Sequence, residues 1–396
     1  MTALTAYAPL LNSAVEIGME NGRLTSVTPC DAKTDLCVGP ALFDIQVNGY
    51  GGETCKLLSP EKKEAIGFIT RLLRENGVGW WVPTVCTAAQ DVLETAFRLL
   101  GEALDEDPDT AASIPGFHLE GPYISPDEGP RGVHEKAVIR PASWDEFQRL
   151  QDACGHRILY VTLAPEQENA AEFTRRAVAD GVVVSMGHTA MTRDDLARLV
   201  DAGATLSTHL GNGAHDRLQR HNNYLWYQLA CRKTYASFIS DGEHLPAECL
   251  YAMLRAKGLD LSLIVSDSVS LGGLPPGRYG SVEKTESGRL CAIGTANLSG
   301  SASNLRECVE GAVRLGGISH ADAWRLATLQ PAKVLGLADR LGLDPGKEAT
   351  LTLYRYEENG PRIEISETWV AGRKVFDAAV SPRESVRLNN VNLDDI

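Results

Sequence analysis

Side chains able to hold a metal ion or carry a proton recur along the chain directly after short apolar runs. They are Asp44, Gln46 and Asn48, then His118 and Glu120, then His188, His209, Asp241 with His244, and finally Asp267. Taken singly, each has an ordinary explanation: Glu120 could start the turn at Gly121-Pro122, and His209 could be a satisfied core histidine. Their joint occurrence shifts the weighing. Two neutral imidazoles and one carboxylate form a catalytic zinc set, and three protein ligands leave one position open for water or substrate. Glu120, His188 and His209 supply that set. Zinc lowers the pKa of a bound water and polarises a carbonyl, and Asp267, in Val265-Ser266-Asp267-Ser268, is the carboxylate placed to take the water's proton as general base.

These residues can share a pocket only if the fold gathers them. From about Ala41, runs rich in Val, Ile and Leu alternate with longer amphipathic stretches, the pattern of parallel strands and crossover helices. Eight runs are legible: Ala41–Val47, Gly79–Cys86, Ile114–Leu119, Ile158–Leu163, Val182–Met186, Thr205–Thr208, Tyr235–Ile239 and Leu261–Val265. Between them, segments such as Arg193–Ala202, with Leu196, Leu199 and Val200, have helical spacing. Eight β/α units predict a (β/α)8 TIM-like barrel, in which strand C-termini converge on one mouth. Outside it, Met1–Val38 and Lys347–Phe376 read as short strands with turns at Asn21-Gly22 and Ala371-Gly372. The expected organisation is a barrel over residues 41–345 and a small β-sandwich domain from residues 1–40 and 346–396. The polar, acidic stretch Ser381–Ile396 reads as a tail or a packing arm.

Composition narrows the functional classes. A net charge of −14 disfavours a nucleic-acid partner, which needs clustered Lys and Arg. No stretch is apolar enough to span a membrane. The first residues have no basic start ahead of a weak apolar stretch, so a secretory signal is not expected. Nine scattered cysteines, an odd number without a C-x-x-C pair, fit reduced thiols and a cytoplasmic location. The Gly-rich pieces at Asn48–Gly52 and Leu271–Gly273 lack the spacing of a nucleotide fingerprint.

The strand-end motifs Phe43-Asp44-Ile45-Gln46-Val47-Asn48-Gly49, His118-Leu119-Glu120-Gly121-Pro122, Gly187-His188-Thr189, Thr208-His209-Leu210, Ser240-Asp241-Gly242-Glu243-His244 and Ser266-Asp267 occur in order. Together with Pro331-Ala332-Lys333-Val334-Leu335-Gly336-Leu337 and Pro345-Gly346-Lys347, they resemble the N-acetylglucosamine-6-phosphate deacetylases of the amidohydrolase superfamily over most of the chain. The resemblance implies hydrolysis of the N-acetyl group of an amino sugar phosphate, N-acetylglucosamine 6-phosphate before others, to acetate and the free amine. Most amidohydrolases carry His-x-His on the first strand to help hold a second metal. This chain has Gln46-Val47-Asn48, as does a subset of the deacetylases that uses one metal, so one divalent ion is expected, Zn2+ before Fe2+.

By the same resemblance, Val133 and His134 belong to the ligand loop, and His134 polarises the acetyl carbonyl. His244 binds the sugar, Asn212 and Gly213 line the ligand site, Leu298 meets the acetyl methyl, and protonated Asp267 delivers its proton to the leaving amine. A homodimer is also implied. The match departs after His209, where the family's Arg-x-Pro-Gly is replaced by Arg220-His221-Asn222-Asn223. Arg220 stands at the place of the phosphate-binding arginine without its Pro-Gly. A related N-acyl amino sugar, of another epimer or unphosphorylated, therefore stays open. Two rivals remain: another amidohydrolase reaction, such as cyclic-amide hydrolysis or deamination of a heterocycle, against which the missing first-strand His-x-His argues, and a non-enzymatic binding protein on this fold, against which retention of Glu120, both histidines and Asp267 argues.

Overall fold

The computed structural model describes residues 2–293, 298–381 and 383–387. Eight parallel strands lie where the apolar runs predict them: β1 (Leu42–Val47), β2 (Val78–Cys86), β3 (Phe117–Glu120), β4 (Ile158–Leu163), β5 (Val183–Met186), β6 (Leu206–Ser207), β7 (Tyr235–Ile239) and β8 (Ser262–Val265). They pair in sequence order. The ring closes between β8 and β1, where Asn48 N donates to Ser268 O (2.8 Å) and Ser266 N to Asp44 Oδ1 (3.2 Å). β1 is buried at every position, as expected of parallel strands covered on both faces, which read as continuous apolar runs rather than alternating ones.

Each strand is followed by a helix: α1 (Glu64–Glu75), α2 (Gln90–Glu106), α3 (Trp144–Ala153), α4 (Ala170–Ala179), α5 (Arg193–Asp201), α6 (Tyr224–Ala230), α7 (Ala247–Lys257) and α8 (Leu305–Arg314). α1 buries Ala65, Ile66, Phe68, Ile69, Leu72 and Leu73, a stripe at helical spacing turned toward the strands. α5 starts at a reciprocal cap in which the Thr192 side chain meets the Asp195 amide and the Asp195 side chain meets the Thr192 amide. Phe43, Ile45, Trp80, Val82, Tyr160, Leu206, Ile239, Leu263 and Val265 form one buried cluster. Residues drawn from six strands of a ring can meet one another only inside it, so the barrel is filled and not a pore.

The chain termini build a separate seven-stranded sheet, ordered Arg373–Asp377, Arg362–Val370, Leu351–Glu357, Leu36–Pro40, Thr2–Ala8, Ser13–Glu20, Arg23–Pro29. The N- and C-terminal halves join where Leu36–Pro40 pairs antiparallel with Leu351–Glu357. Asn21-Gly22 and Ala371-Gly372, both pairs with positive φ, make the two tight turns expected from the sequence. Of the polar C-terminal stretch, residues 383–387 pack along the barrel. Arg387 N donates to Gly51 O (2.9 Å), and its guanidinium lies over the Phe68 ring (4.2 Å). Residues 382 and 388–396 lie outside the described residues.

Candidate active site

Four polar side chains converge at the C-terminal ends of β3, β5, β6 and β8. Glu120 is the last residue of its strand, and His188, His209 and Asp267 are each the second residue beyond theirs. That repeated offset has a backbone consequence. His188, His209 and Asp267 carry positive φ (49°, 31° and 51°), a region costly for most L-residues but more open to Asp, Asn and His. Left-handed backbone at three strand ends concentrates strain where function commonly tolerates it. Tertiary bonds hold each turn: Ser125 N to His188 O (2.9 Å), His209 N to Ser237 Oγ (2.7 Å) and Ser301 N to Asp267 O (3.1 Å).

The donor atoms are arranged as a metal would require. Glu120 Oε1 lies 3.0 Å from His209 Nε2 and 3.3 Å from His188 Nε2, and the two ring nitrogens are 3.0 Å apart. The edge of a tetrahedron with metal–donor bonds of roughly 2.0–2.1 Å is about 3.3–3.4 Å, so the three atoms are spaced nearly as ligands of one ion. His188 Nδ1 is 2.8 Å from Pro130 O, which can only accept, so Nδ1 carries the proton and Nε2 of the neutral ring presents a lone pair. Burial would raise the Glu120 carboxyl, but the His188 and His209 rings beside it hold it well below its ordinary value. Three buried acceptors aimed at one point call for a cation, and this set fits a divalent metal. His134 also contributes a ring nitrogen within 4.8 Å of the Glu120 and His188 donor atoms. The shorter mutual distances favour Glu120, His188 and His209 as the ligand triangle, because His134 is turned to Thr87 Oγ1 through Nδ1 (2.8 Å).

The amides on β1 serve as donors. Gln46 Nε2 donates to Glu120 Oε1 (3.1 Å), and Asn48 Nδ2 donates to Asp267 Oδ1 (2.8 Å). Asn48 Oδ1 in turn accepts from Cys86 Sγ (2.9 Å). Asp267 is enclosed, and burial followed by the nearby Glu120 charge pushes its carboxyl up to about 6. Burial and His188 bring His134 down to about 3, which leaves it neutral.

The remaining predicted residues are less uniform in placement. Asn212 folds back on His209, its amide N and Nδ2 both reaching His209 O (3.0 and 3.2 Å). Gly213 has φ 55°, and a Cβ there would stand 2.8 Å from His188 Nδ1, so the ring is packed directly against the glycine. His244 pairs with Asp241 through Nδ1 (2.8 Å). Val133 is 56% exposed on the loop carrying His134. Leu298 bridges to Cys291 at the edge of a short hairpin, and Asn297 beside it lies outside the described residues. Arg220 is exposed, with no side-chain partner among the described residues, and its carbonyl accepts from Trp226 Nε1 (3.1 Å). It is not brought into contact with the ligand triangle. His118, although it precedes Glu120 by two, lies deeper in the barrel between Thr84 Oγ1 (3.1 Å) and Thr162 Oγ1 (2.8 Å), stacked on Tyr160. Burial brings it down to about 3, and it serves the core.

A family model described as the amidohydrolase family matches residues 75–375. The chain belongs to that family. An N-acetylglucosamine-6-phosphate deacetylase from Bos taurus is 30% identical over 353 residues, which is 86% of this chain and 83% of the relative. An N-acetylgalactosamine-6-phosphate deacetylase from Escherichia coli O157:H7 is 29% identical over 352 residues, covering 88% and 89% respectively. Solved N-acetylglucosamine-6-phosphate deacetylases from Mycobacterium smegmatis and Thermotoga maritima share the fold, with TM-scores of 0.83 and 0.84 at 24% and 23% identity. Each comparison covers 95% of this chain and 100% of the other. The deacetylase resemblance carried by the strand-end motifs is thus borne out.

Two residues around this amidohydrolase site escaped the sequence reading, and a third was read without its role. Cys86, at the end of the second apolar run, touches both Asn48 and Glu120 Oε2 (3.5 Å). Thr87 bonds His134 and the Glu120 carbonyl (3.3 Å). Asp241 was noted at the end of its run but without the role of holding His244. Cys86 was the legible one, since it ends the second apolar run as other site residues end theirs.

Proposed function

We propose that this amidohydrolase removes the acetyl group from an N-acetylated amino sugar phosphate, N-acetylglucosamine 6-phosphate first, giving acetate and the amino sugar phosphate. The observation that carries this reading is the triangle of Glu120, His188 and His209 beside a buried carboxylate, Asp267, held by Asn48. The triangle would hold one divalent metal, zinc or iron, whose chemistry is to acidify water and polarise the amide carbonyl. Asp267 takes one proton from the attacking water and passes it to the departing nitrogen as the C–N bond breaks. His134, neutral and within reach of the same cup, supplies a hydrogen bond to the carbonyl oxygen as negative charge develops there. It can do so from Nε2 only once the Thr87 proton turns from the Glu120 carbonyl to Nδ1, because the hydroxyl has one proton for the two contacts. Asn212 and Gly213 line the ligand side of His188, His244 meets the sugar, and Leu298 with Val133 borders the acyl end.

A homodimer is proposed from the family resemblance alone. A cytoplasmic location is supported by nine free cysteines and by the lack, among the described residues, of a helix long and apolar enough to cross a membrane. Exposure of Arg220 favours keeping a second reading, an unphosphorylated or epimeric N-acyl amino sugar. Acetate release should be measured on N-acetylglucosamine 6-phosphate, N-acetylgalactosamine 6-phosphate and their unphosphorylated forms with metal-loaded protein. Preference for the glucosamine phosphate supports the first reading, equal rates without phosphate support the second, and no release from any of them would end both.

A further inference from the structure

The loop after β7 contains a buried pair whose chemistry the proposed reaction leaves unused. Asp241 Oδ1 accepts the backbone amides of Glu243 (2.9 Å) and His244 (3.0 Å). Its Oδ2 accepts from His244 Nδ1 (2.8 Å) and the Ser301 hydroxyl (3.1 Å). The two side chains are only 3% and 6% exposed. Burial alone would raise the Asp241 carboxyl, yet the hydrogen bonds from the His244 side chain and from the two amides bring it to about 2. An ionised carboxylate only accepts, so His244 Nδ1 must carry a proton. In the neutral ring this leaves Nε2 as an acceptor, and Nε2 has no hydrogen-bond partner among the described residues.

Ser301 extends the network. Its hydroxyl oxygen accepts from Ser303 N (3.1 Å), so its single proton is committed to Asp241. Its own amide donates to Asp267 O (3.1 Å), and its carbonyl accepts from Val269 N (3.0 Å). One chain of hydrogen bonds therefore runs from the His244 ring to the backbone that holds Asp267 at positive φ.

We infer that Asp241 is a positioning residue: it fixes His244 in the tautomer whose free Nε2 accepts a hydrogen bond from a sugar hydroxyl, and through Ser301 it ties that contact to the Asp267 backbone. The ligand chemistry rests on the deacetylase reading, whereas the tautomer does not. Asp241→Asn is the decisive change. The two backbone amides at Oδ1 keep the amide oxygen on their side, so its NH2 faces His244 Nδ1 and forces the proton to Nε2.

The full-length, metal-loaded protein should be labelled with ¹⁵N-histidine, and the His244 signal identified by its loss in His244→Gln. Wild type should show the Nδ1–H tautomer and Asp241→Asn the Nε2–H form. In kinetics, Asp241→Asn should keep its metal and raise KM by roughly 5- to 100-fold, the cost of leaving a buried polar group without its partner. The double variant with His244→Gln should be no worse than His244→Gln alone, because one residue acts through the other. Ser301→Ala should keep the tautomer and lower kcat, and it serves also if Asp241→Asn fails to fold. An unchanged tautomer in Asp241→Asn or fully additive losses would overturn the role of Asp241, and an unchanged kcat in Ser301→Ala would remove the link to Asp267. If wild type released no acetate from any N-acetyl amino sugar, the deacetylase reading would fall while the tautomer experiment still decided the positioning role.

Discussion

Replacing Asp267 by asparagine separates proton transfer from everything else this residue does. At φ 51° the position suits Asp or Asn, whereas an L-residue without a short polar side chain pays about 1–2 kcal/mol there. An amide at this site can still accept from Asn48 Nδ2 through its oxygen, preserving the 2.8 Å contact seen with Oδ1. Asp267→Asn is therefore expected to fold with a melting temperature close to wild type and to keep its metal. What it loses is the ability to take a proton from water, and general-base loss costs at least about 10²-fold in rate. That factor is about 2.7 kcal/mol on the barrier. Asp267→Ala makes the contrast, because it also loses the Asn48 bond and places alanine in the left-handed region, so its melting temperature should fall as well. The assay is acetate release under saturating substrate, with metal content measured on the same samples. Turnover of Asp267→Asn within a few-fold of wild type, with metal retained, would show that another group is the base.

Four further outcomes follow from named contacts. His209→Ala removes one corner of the ligand triangle, so elemental analysis should fall from about one divalent metal per chain toward none, with activity lost in parallel; two tightly held metals in wild type would contradict the single site. Gly311→Ala places a Cβ 1.8 Å from Ser240 O, which forces α8 away from the end of β7. It should destabilise by at least the 1–3 kcal/mol of ordinary overpacking, read as a lowered melting temperature. His320, bonded to Tyr354 (2.8 Å) and stacked on Tyr356, is pushed by burial down to about 4, below its unfolded value near 6.5. The unfolded chain then binds the extra proton first, so stability is full above about 6.5 and declines toward pH 4, by roughly 2 kcal/mol at pH 5; His320→Phe should flatten that part of the melting-temperature profile. If Arg220 grips a phosphate, Arg220→Ala should lower kcat/KM on the phosphorylated sugar alone, by roughly 10- to 100-fold; equal loss on both sugars would remove it from phosphate recognition.

The barrel was legible because its strands are buried on both faces. Continuous apolar runs between amphipathic helices leave few other arrangements, and seven of the eight runs begin within one residue of the observed strand. The third run, from Ile114, begins three residues early: Ile114 is buried under the sheet but β3 starts only at Phe117. The triangle of Glu120, His188 and His209 was legible for a related reason: each residue alone has an ordinary use, but strand ends that meet at one barrel mouth bring the three together. His118 shows the limit of that rule, because an inward-facing histidine one layer deeper satisfies both nitrogens with threonine hydroxyls supplied by other strands. Arg220 shows another: a sequence position reports no direction, and the structure leaves its side chain exposed. Contacts such as Thr87 with His134 join loops 47 residues apart, and nothing local to either residue announces them.

The amides on β1 bear on the proposal of a single metal. A second cation near Glu120 and Asp267 would reduce the repulsion of the two carboxylates by adding positive charge. Gln46 and Asn48 instead direct NH2 groups at those same carboxylates, 3.1 and 2.8 Å away. The opposite rotamers would set amide oxygen against carboxylate oxygen, so the donor orientation is the one the neighbours enforce. A neutral donor stabilises an anion without adding a positive charge. Asp267 is consequently held by hydrogen bonding, while burial and the Glu120 charge push its carboxyl up to about 6. Returning histidines to both positions would trade that arrangement for a second metal site, so a Gln46→His/Asn48→His variant should gain a second bound metal by elemental analysis. A variant that folds and still binds one would show that the amides are not what limits the site to a single ion.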